Sequence, residues 1–156
     1  MSSKTLLLVG HAPSPNTARL IKACQQGVQD SGCKTIHFKI KKAQDTQPED
    51  VLEADALILF TTENLSYMSG MVKDFFDRTY YPCLEKTQGL PCAVIVRAGQ
   101  GGGEGTERAL TTIFTGLRWR WVQPALILRG NWQDDFLKQT QELAMGMAVA
   151  LEEGMI

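Results

Sequence analysis

Three short runs of apolar residues divide the chain, and each ends in a polar or glycine-rich turn. They are TLLLVG at 5–10, DALILF at 55–60 and PCAVIVRAG at 91–99. Runs of about five consecutive apolar residues are typical of strands that are buried on both faces of a parallel sheet. The pattern therefore predicts three central strands.

Two further segments show a different pattern, in which apolar and polar residues alternate. Residues 35–41 alternate along their whole length. In 118–128, Trp119 and Trp121 alternate with Arg118 and Arg120, and Pro124 interrupts the segment. Alternation indicates a strand with one solvent-facing side, and a proline inside a strand is tolerated mainly at a sheet edge. We therefore expect these two segments to form the edges of the sheet.

Apolar residues recur at helical spacing in the gaps between the strands. Ser69 is a plausible N-cap for the helix that follows it, and Asp134 or Asp135 for the last helix. The predicted helices cover 16–31, 48–53, 70–81, 105–115 and 134–152.

Strands and helices alternate along the chain, which indicates an α/β fold with a parallel sheet covered by helices on both faces. With strands 1, 3 and 4 in the centre, the simplest arrangement is a three-layer, doubly wound sheet in the flavodoxin-like order 2-1-3-4-5. The 156 residues are expected to form a single domain, 1–156. Ligands of such sheets bind at the carboxyl ends of the strands, near the switch between strands 1 and 3.

Composition narrows the class of function. Lysine and arginine number 16 against 17 aspartate and glutamate, for a net charge of −1. This balance argues against a nucleic-acid partner and against a strongly acidic docking protein. No apolar stretch approaches the roughly 18 residues of a membrane span, so no membrane partner is expected.

The cysteines and the N-terminus indicate a cytoplasmic, reduced protein. The four cysteines, at 24, 33, 83 and 92, form no CxxC pair. Free thiols in a reducing compartment are more plausible than a zinc site, so no metal is expected. The apolar run 6–9 is too short for a signal peptide.

The loop after the first strand, GHAPSPNT at 10–17, leads directly into a helix. Ser14, Asn16 and Thr17 offer side-chain donors, and a helix N-terminus offers free backbone N–H groups. The loop therefore suits a phosphate, although it is not a Walker A motif because it has no lysine. The alternative is a well-capped helix without a ligand, in which His11 is a structural loop residue.

The loop after the third strand, at 61–70, mixes polar groups with Tyr67. A flat heteroaromatic ring needs hydrogen bonds along one edge and an aromatic or apolar surface against one face. Tyr67 is a candidate for that surface. Alternatively, Tyr67 is an ordinary half-buried loop residue, and Glu63 and Asn64 are solvated turn residues.

The loop after the fourth strand, at 98–105, contains five glycines in eight residues. Glycine lets the backbone approach a ligand closely and adopt positive φ. The spacing does not match GxGxxG, so this is not the dinucleotide fingerprint. The alternative is a mobile surface loop.

The stretch TTENLSYMSGMVKDFFDRTYYP at 61–82, together with GHAPSPNT and GLRW at 116–119, resembles the NAD(P)H-dependent FMN reductase family of flavodoxin-like proteins. The resemblance covers nearly the whole chain. It departs from the family pattern at Thr62, where proline is usual, and at Phe60, where glycine is usual. The first loop also lacks the arginine that many members carry.

The resemblance implies three groups of cofactor-binding residues and no catalytic side chain. Ser14, Asn16 and Thr17 would hold the FMN phosphate, with His11 in the same loop. The isoalloxazine and ribityl chain would be lined by Thr62, Glu63, Asn64, Leu65, Ser66 and Tyr67. The pyrimidine side of the ring would be closed by Ala98, Gly99, Gln100, Gly101 and Gly102.

The leading functional hypothesis is therefore an FMN-binding oxidoreductase that passes a hydride from NAD(P)H, a transient co-substrate, through the flavin. The acceptor would be a small molecule such as a quinone, a nitro or azo compound, a metal ion or free flavin. The alternatives are a flavodoxin-type electron carrier, which the balanced charge disfavours, and a flavodoxin-fold binding module that has lost the cofactor.

A homodimer or tetramer is also expected, because relatives often complete the flavin pocket with a neighbouring subunit. Trp119, Trp121 and Trp132 would offer an aromatic surface for such an interface. The alternative is that they pack inside the monomer.

Overall fold

The elements of the computed structural model follow the predicted order along residues 2–156, the part of the chain that the structure describes. The strands are β1 (Lys4–Gly10), β2 (Ile36–Lys42), β3 (Ala56–Asn64), β4 (Tyr67–Met68), β5 (Pro91–Arg97), β6 (Arg120–Trp121) and β7 (Leu126–Leu128). The helices are α1 (Pro15–Asp30), α2 (Pro48–Leu52), α3 (Gly70–Cys83), α4 (Glu104–Leu117) and α5 (Asp135–Glu152), and a 3-10 turn covers Ala43–Asp45.

The sheet has the predicted flavodoxin-like order, with a change at one edge. Strands β2, β1, β3 and β5 lie side by side and are parallel. The expected single strand over 118–128 is instead two short strands, since β6 pairs with the start of β5 and β7 with its end. Pro124 lies between them and has no N–H to continue the ladder.

A short hairpin was not predicted. Strand β4 pairs antiparallel with the end of β3, placing Glu63 opposite Met68 and Asn64 opposite Tyr67. The sequence does not predict this hairpin because its two turn residues, Leu65 and Ser66, are neither glycine nor asparagine.

The central strands are buried because helices cover both faces of the sheet. One face packs on α1 and α5, through core residues such as Leu20 and Met147. The other packs on α2, α3 and α4, through Val51, Phe75 and Phe114. Side chains alternate along each strand, so the central strands β1, β3 and β5 contribute to both cores.

Strand β2 lies at the edge, as its alternating pattern predicts, and is attached to α2 by a buried carboxylate. The Nζ atoms of Lys39 and Lys41 lie 2.7 and 2.9 Å from the carboxylate oxygens of Asp50. Burial raises the pKa of Asp50, but hydrogen bonds from Lys39, the Gln47 amide and Lys41 outweigh it and hold the pKa at about 2. The carboxylate therefore stays charged in the folded protein.

The tryptophans pack within the monomer. Trp119 is buried, and its Nε1 donates to Thr87 Oγ1 at 2.8 Å. The ring of Trp121 packs on Phe114 and that of Trp132 on Phe136. The oligomeric state stays a prediction, but these side chains do not form a free aromatic surface.

Two further expectations are settled by side-chain contacts. Ser69 caps α3, since its hydroxyl accepts from the Val72 amide. Asp134 occupies the N-cap of α5 but makes no capping bond, because its carboxylate accepts from Trp132 Nε1 at 3.1 Å.

All four cysteines are free thiols. No helix within residues 2–156 has the length and apolar character of a membrane span.

Candidate functional site

Three loops meet at one edge of the sheet. They follow β1, β3 and β5, which are adjacent and parallel, so their carboxyl ends lie side by side. This is the position where open α/β sheets bind ligands. The folded chain thus brings together the three predicted groups of site residues.

The first loop is organised by a reciprocal cap at the start of α1. Ser14 Oγ accepts from the Thr17 amide at 3.1 Å, and Thr17 Oγ1 accepts from the Ser14 amide at 2.9 Å. The Thr17 hydroxyl also donates to the Ser14 carbonyl, and the Ala18 amide bonds to the same oxygen. These bonds fix the loop from within its own sequence.

This cap leaves fewer free donors than the sequence indicates. Thr17 is buried, so its hydroxyl positions Ser14 rather than facing solvent. Ser14 and Asn16 are exposed, and the Asn16 amide has no protein acceptor within residues 2–156. Arg19 Nη1 donates to Asn16 Oδ1 at 3.3 Å, which leaves the side-chain NH₂ of Asn16 to donate outwards.

The electrostatics of the first loop favour an anion. The first turn of α1 contains no acidic residue, and the helix N-terminus contributes partial positive charge. Burial lowers the pKa of His11, so its imidazole is neutral near pH 7, and its amide donates to the Phe60 carbonyl. Phe60 itself is fully buried in the core and takes no space at the site.

The second loop is a tight hairpin with an unusual turn. Leu65 and Ser66 have φ values of 53° and 64°, in a conformation that turns of this kind normally build from Asn-Gly. Leu65 is fully exposed, and Tyr67 is 39% exposed. Side chains in this region cost about 1 kcal/mol or more each, and such strain often occurs at functional sites.

Glu63 joins the second loop to the third. Its carboxylate accepts from the Gly103 amide at 3.1 Å and from the Thr106 hydroxyl at 2.8 Å, with the Thr106 amide at 3.4 Å. These donors lie at the N-terminus of α4, where a carboxylate is favoured by the helix dipole. Glu63 is therefore neither a solvated turn residue nor free to face a ring, and its contribution to the site is to fix two loops together.

The glycines of the third loop lie in two different kinds of surroundings. A Cβ on Gly101 would collide with the Glu63 carboxylate, and one on Gly105 would collide with the Ser66 carbonyl. A Cβ on Gly99 would meet no atom within 4 Å. The packed glycines let the loop dock on the hairpin, whereas Gly99 leaves an open face above the end of β5.

Arg97 is a candidate site residue that sequence reasoning missed. It ends β5 on the face covered by α1 and α5, with its guanidinium 5.0 Å from the Phe136 ring centre. Its Nη1 donates to the carbonyl oxygens of Ala98 and Leu128, and no carboxylate in the described residues forms an ion pair with it. Burial lowers the pKa of Arg97, but it remains charged. The sequence does contain a feature that distinguishes this position, because Arg97 is the only charged residue in the run 91–97.

The residues present fit a flavin mononucleotide. The Thr62 hydroxyl, opposite Arg97 in the strand register, is buried without a hydrogen-bond partner in residues 2–156. The amides of Gly99 and Gln100 likewise have no protein acceptor there. Ser14 and Asn16 offer exposed donors at one side of the edge, and unpaired donors with an open glycine face lie two strands away. A phosphate and a flat ring with polar edges would satisfy both groups.

Known structures of the same shape share little sequence with this chain. A flavodoxin from the domain Archaea has a TM-score of 0.79 at 17% identity, covering 95% of this chain and 99% of that one. The WrbA-like flavodoxin protein from Agrobacterium tumefaciens has a TM-score of 0.71 at 15% identity, covering 97% and 99%. The Flv1 flavodiiron core from Synechocystis has a TM-score of 0.77 at 15% identity, and the match covers 98% of this chain but 37% of that one. At these identities the likeness establishes the flavodoxin-like fold.

The sequence itself settles the family. No curated protein matches the chain. The family model for NADPH-dependent FMN reductase matches residues 3–134, which include all three loops. The chain therefore belongs to the NADPH-dependent FMN reductase family.

Proposed function

We propose that this protein is an FMN-dependent oxidoreductase that uses NAD(P)H to reduce a small-molecule acceptor. The observation that carries the proposal is the pairing of two groups at one sheet edge. An anion-receiving loop at α1 lies two strands from the open, amide-bearing end of β5. Membership of the FMN reductase family supports the same conclusion.

In this proposal the flavin supplies the redox chemistry when bound, taking a hydride from NAD(P)H and passing two electrons to the acceptor. The protein supplies binding and electrostatics. The Ser14 hydroxyl and the Asn16 amides would hold the phosphate. The amides of Gly99 and Gln100 would donate to the ring edge on which negative charge develops when a flavin is reduced. Arg97 adds a nearby positive charge held out of bulk water.

The first experiment tests cofactor and activity together. The purified protein, or the protein incubated with FMN and desalted, should absorb near 450 nm, and anaerobic NADPH should bleach it. A yellow protein that neither NADPH nor NADH bleaches would contradict the reductase and favour an electron carrier. A colourless protein that takes up no FMN would favour a fold that has lost its cofactor.

A second experiment tests the position of the ring. Gly99→Val places a branched side chain where the structure has open space, so the fold should remain unchanged while the FMN Kd rises at least tenfold. Gly146→Ala on α5 is the control, because its Cβ also meets nothing but lies away from the sheet edge. Equal FMN affinity in both variants would contradict a ring against Gly99.

A further inference from the structure

Arg19, near the start of α1, has a guanidinium that three side chains contact. Its Nη1 donates to Asn16 Oδ1 at 3.3 Å, and its Nη2 lies 3.9 Å from Asp134 Oδ1. Its Cζ lies 5.2 Å from the ring centre of Trp132, within the range of a cation–π contact. Arg19 therefore joins the first loop to residues 129–134, the segment between β7 and α5.

Trp132 is a fixed surface for this guanidinium. Its ring packs edge-on against Phe136, with 5.7 Å between the ring centres, and is partly buried against the core that α1 and α5 cover. Its Nε1 donates to Asp134 Oδ1 at 3.1 Å, the same oxygen that lies near Arg19. The indole thus contacts the guanidinium with its face and holds the neighbouring carboxylate with its edge.

The hydrogen bond from Arg19 decides how the Asn16 side chain is turned. Arginine has five N–H donors and no acceptor, so the oxygen of Asn16, and not its NH₂, must face the guanidinium. Within residues 2–156 the Asn16 side chain makes no other hydrogen bond. Its NH₂ is therefore turned away from Arg19 and is free to donate to a ligand. The ion pair of Arg19 with Asp134 is exposed and contributes little to stability.

We propose that Arg19 is a positioning residue for the phosphate end of the site. It keeps the Asn16 NH₂ directed towards the phosphate of FMN, and Trp132 keeps Arg19 in place. This inference rests on the proposed function. Arg19 acts through Asn16 and not as a phosphate ligand, because its Nη1 and Nη2 face Asn16 and Asp134 while Trp132 covers the guanidinium. The segment after β7 thus belongs to the site through Arg19.

The first test compares affinities for FMN and riboflavin, since riboflavin has the same ring without the phosphate. Arg19→Met removes the donors, so FMN affinity should fall about fivefold, as for one lost hydrogen bond, while riboflavin affinity stays unchanged. Lys22→Met is the control, because it removes an exposed positive charge from the same helix. Equal FMN losses in the two variants would mean that only overall charge matters, and would overturn the proposal.

A double variant separates positioning from direct contact. In an Asn16→Ala background, Arg19→Met should cause no further loss of FMN affinity, because no side-chain amide remains to be turned. A loss of the same size with and without Asn16 would show that Arg19 contacts the phosphate itself, and the positioning role would be wrong.

Substitutions at Trp132 test what holds Arg19. Trp132→Leu should lower the ratio of FMN affinity to riboflavin affinity, and Trp132→Phe, which keeps a ring face for the guanidinium, should restore most of it. A wild-type ratio in Trp132→Leu would overturn the role given to Trp132.

Titration of the full chain with inorganic phosphate, followed by NMR, keeps this inference distinct from the proposed function. If FMN binds and Arg19→Met leaves the affinity ratio unchanged, the proposed function stands and the positioning role fails. If the protein takes up neither flavin, the proposed function fails and the phosphate titration decides. A shift of the Asn16 side-chain NH₂ signals that Arg19→Met abolishes would then support the positioning role, and any other result would overturn it.

Discussion

The loops after β1 and β5 lie at the same sheet edge, but different kinds of contact hold them in place. The first loop is held by contacts between residues three apart, because Ser14 and Thr17 bond to each other in both directions. The third loop depends on the hairpin after β3, since Glu63 binds its end and Ser66 packs against Gly105. One loop is shaped locally and the other by a contact spanning about forty residues.

This difference has a consequence for function. A locally capped loop is formed whenever α1 is formed, so the end of the site that we propose for the phosphate has its shape before any ligand binds. The open face at Gly99 keeps its shape only while the hairpin is docked on α4. Substitutions that disrupt the hairpin should therefore alter the proposed ring end of the site and leave the proposed phosphate end unchanged.

The largest effect is expected for Gly105→Ala, which breaks the docked loop. The added Cβ meets a backbone carbonyl that cannot move aside, so the free energy of unfolding should fall by about 2 kcal/mol. Denaturant unfolding measures this fall. Gly99→Ala is the matched control, because its Cβ enters open space and should change stability by less than about 0.5 kcal/mol. Equal losses in the two variants would contradict the docking of α4 on the hairpin.

Acid sensitivity should come from neither loop but from two carboxylates whose pKa is held at about 2, Glu152, which accepts hydrogen bonds from Thr35 and the Lys34 amide, and Asp50. The Asp50 pKa of about 2 lies below the ordinary aspartate value, so the stabilisation by this carboxylate is complete above about pH 4 and disappears as the pH falls towards 2. Asp50→Asn should cost about 1–2 kcal/mol at pH 7, allowing for solvent screening of the lysines, and almost nothing at pH 2.

Unfolding measured across this pH range tests the assignment to Asp50. The control is Asp77→Asn, which removes an exposed lysine partner and should show little loss at either pH. A loss for Asp50→Asn that persists at pH 2 would show that the ionised carboxylate is not the cause.

Ser14→Ala should damage the locally built loop and remove a phosphate donor. Loss of an N-cap costs about 1 kcal/mol of folding free energy. FMN affinity should also fall, while affinity for riboflavin, which has no phosphate, should fall much less. Ser69→Ala removes the cap of α3 and should leave the FMN-to-riboflavin ratio unchanged. An unchanged ratio in Ser14→Ala would argue against a phosphate at this loop.

The smallest effect is expected for Leu65→Asn combined with Ser66→Gly, which relieves the strained turn. Both positions have positive φ, so the double variant should raise the free energy of unfolding by about 0.5 kcal/mol. The shift in the urea midpoint measures it. A lower midpoint would mean that the Leu65 or Ser66 side chain contributes contacts that outweigh the strain.

The sequence by itself determined the order and approximate bounds of the helices and central strands, and it predicted which loops would meet at one sheet edge. Hydrophobic runs such as 55–60 and 91–99 identify buried strands because burial on both faces leaves no room for polar residues. The cap of α1 was equally predictable, since Ser14 and Thr17 contact each other within one turn. Even the break in the edge strand had a local cause in Pro124.

Only the tertiary structure decided which contacts hold the loops after β3 and β5 together, where we propose that the ring binds. The residues next to Glu63 in the sequence do not predict that its carboxylate accepts a hydrogen bond from the Gly103 amide. That bond forms only when β3 and β5 lie side by side. For the same reason Gly99 and Gly105 look alike in the sequence, yet one faces open space and the other a carbonyl. A cavity lined by Gly10, Ile40 and Lys42 also depends on register, since the pairing of β1 with β2 sets these residues side by side. Contacts between distant segments depend on how the layers pack, and no local pattern encodes that packing.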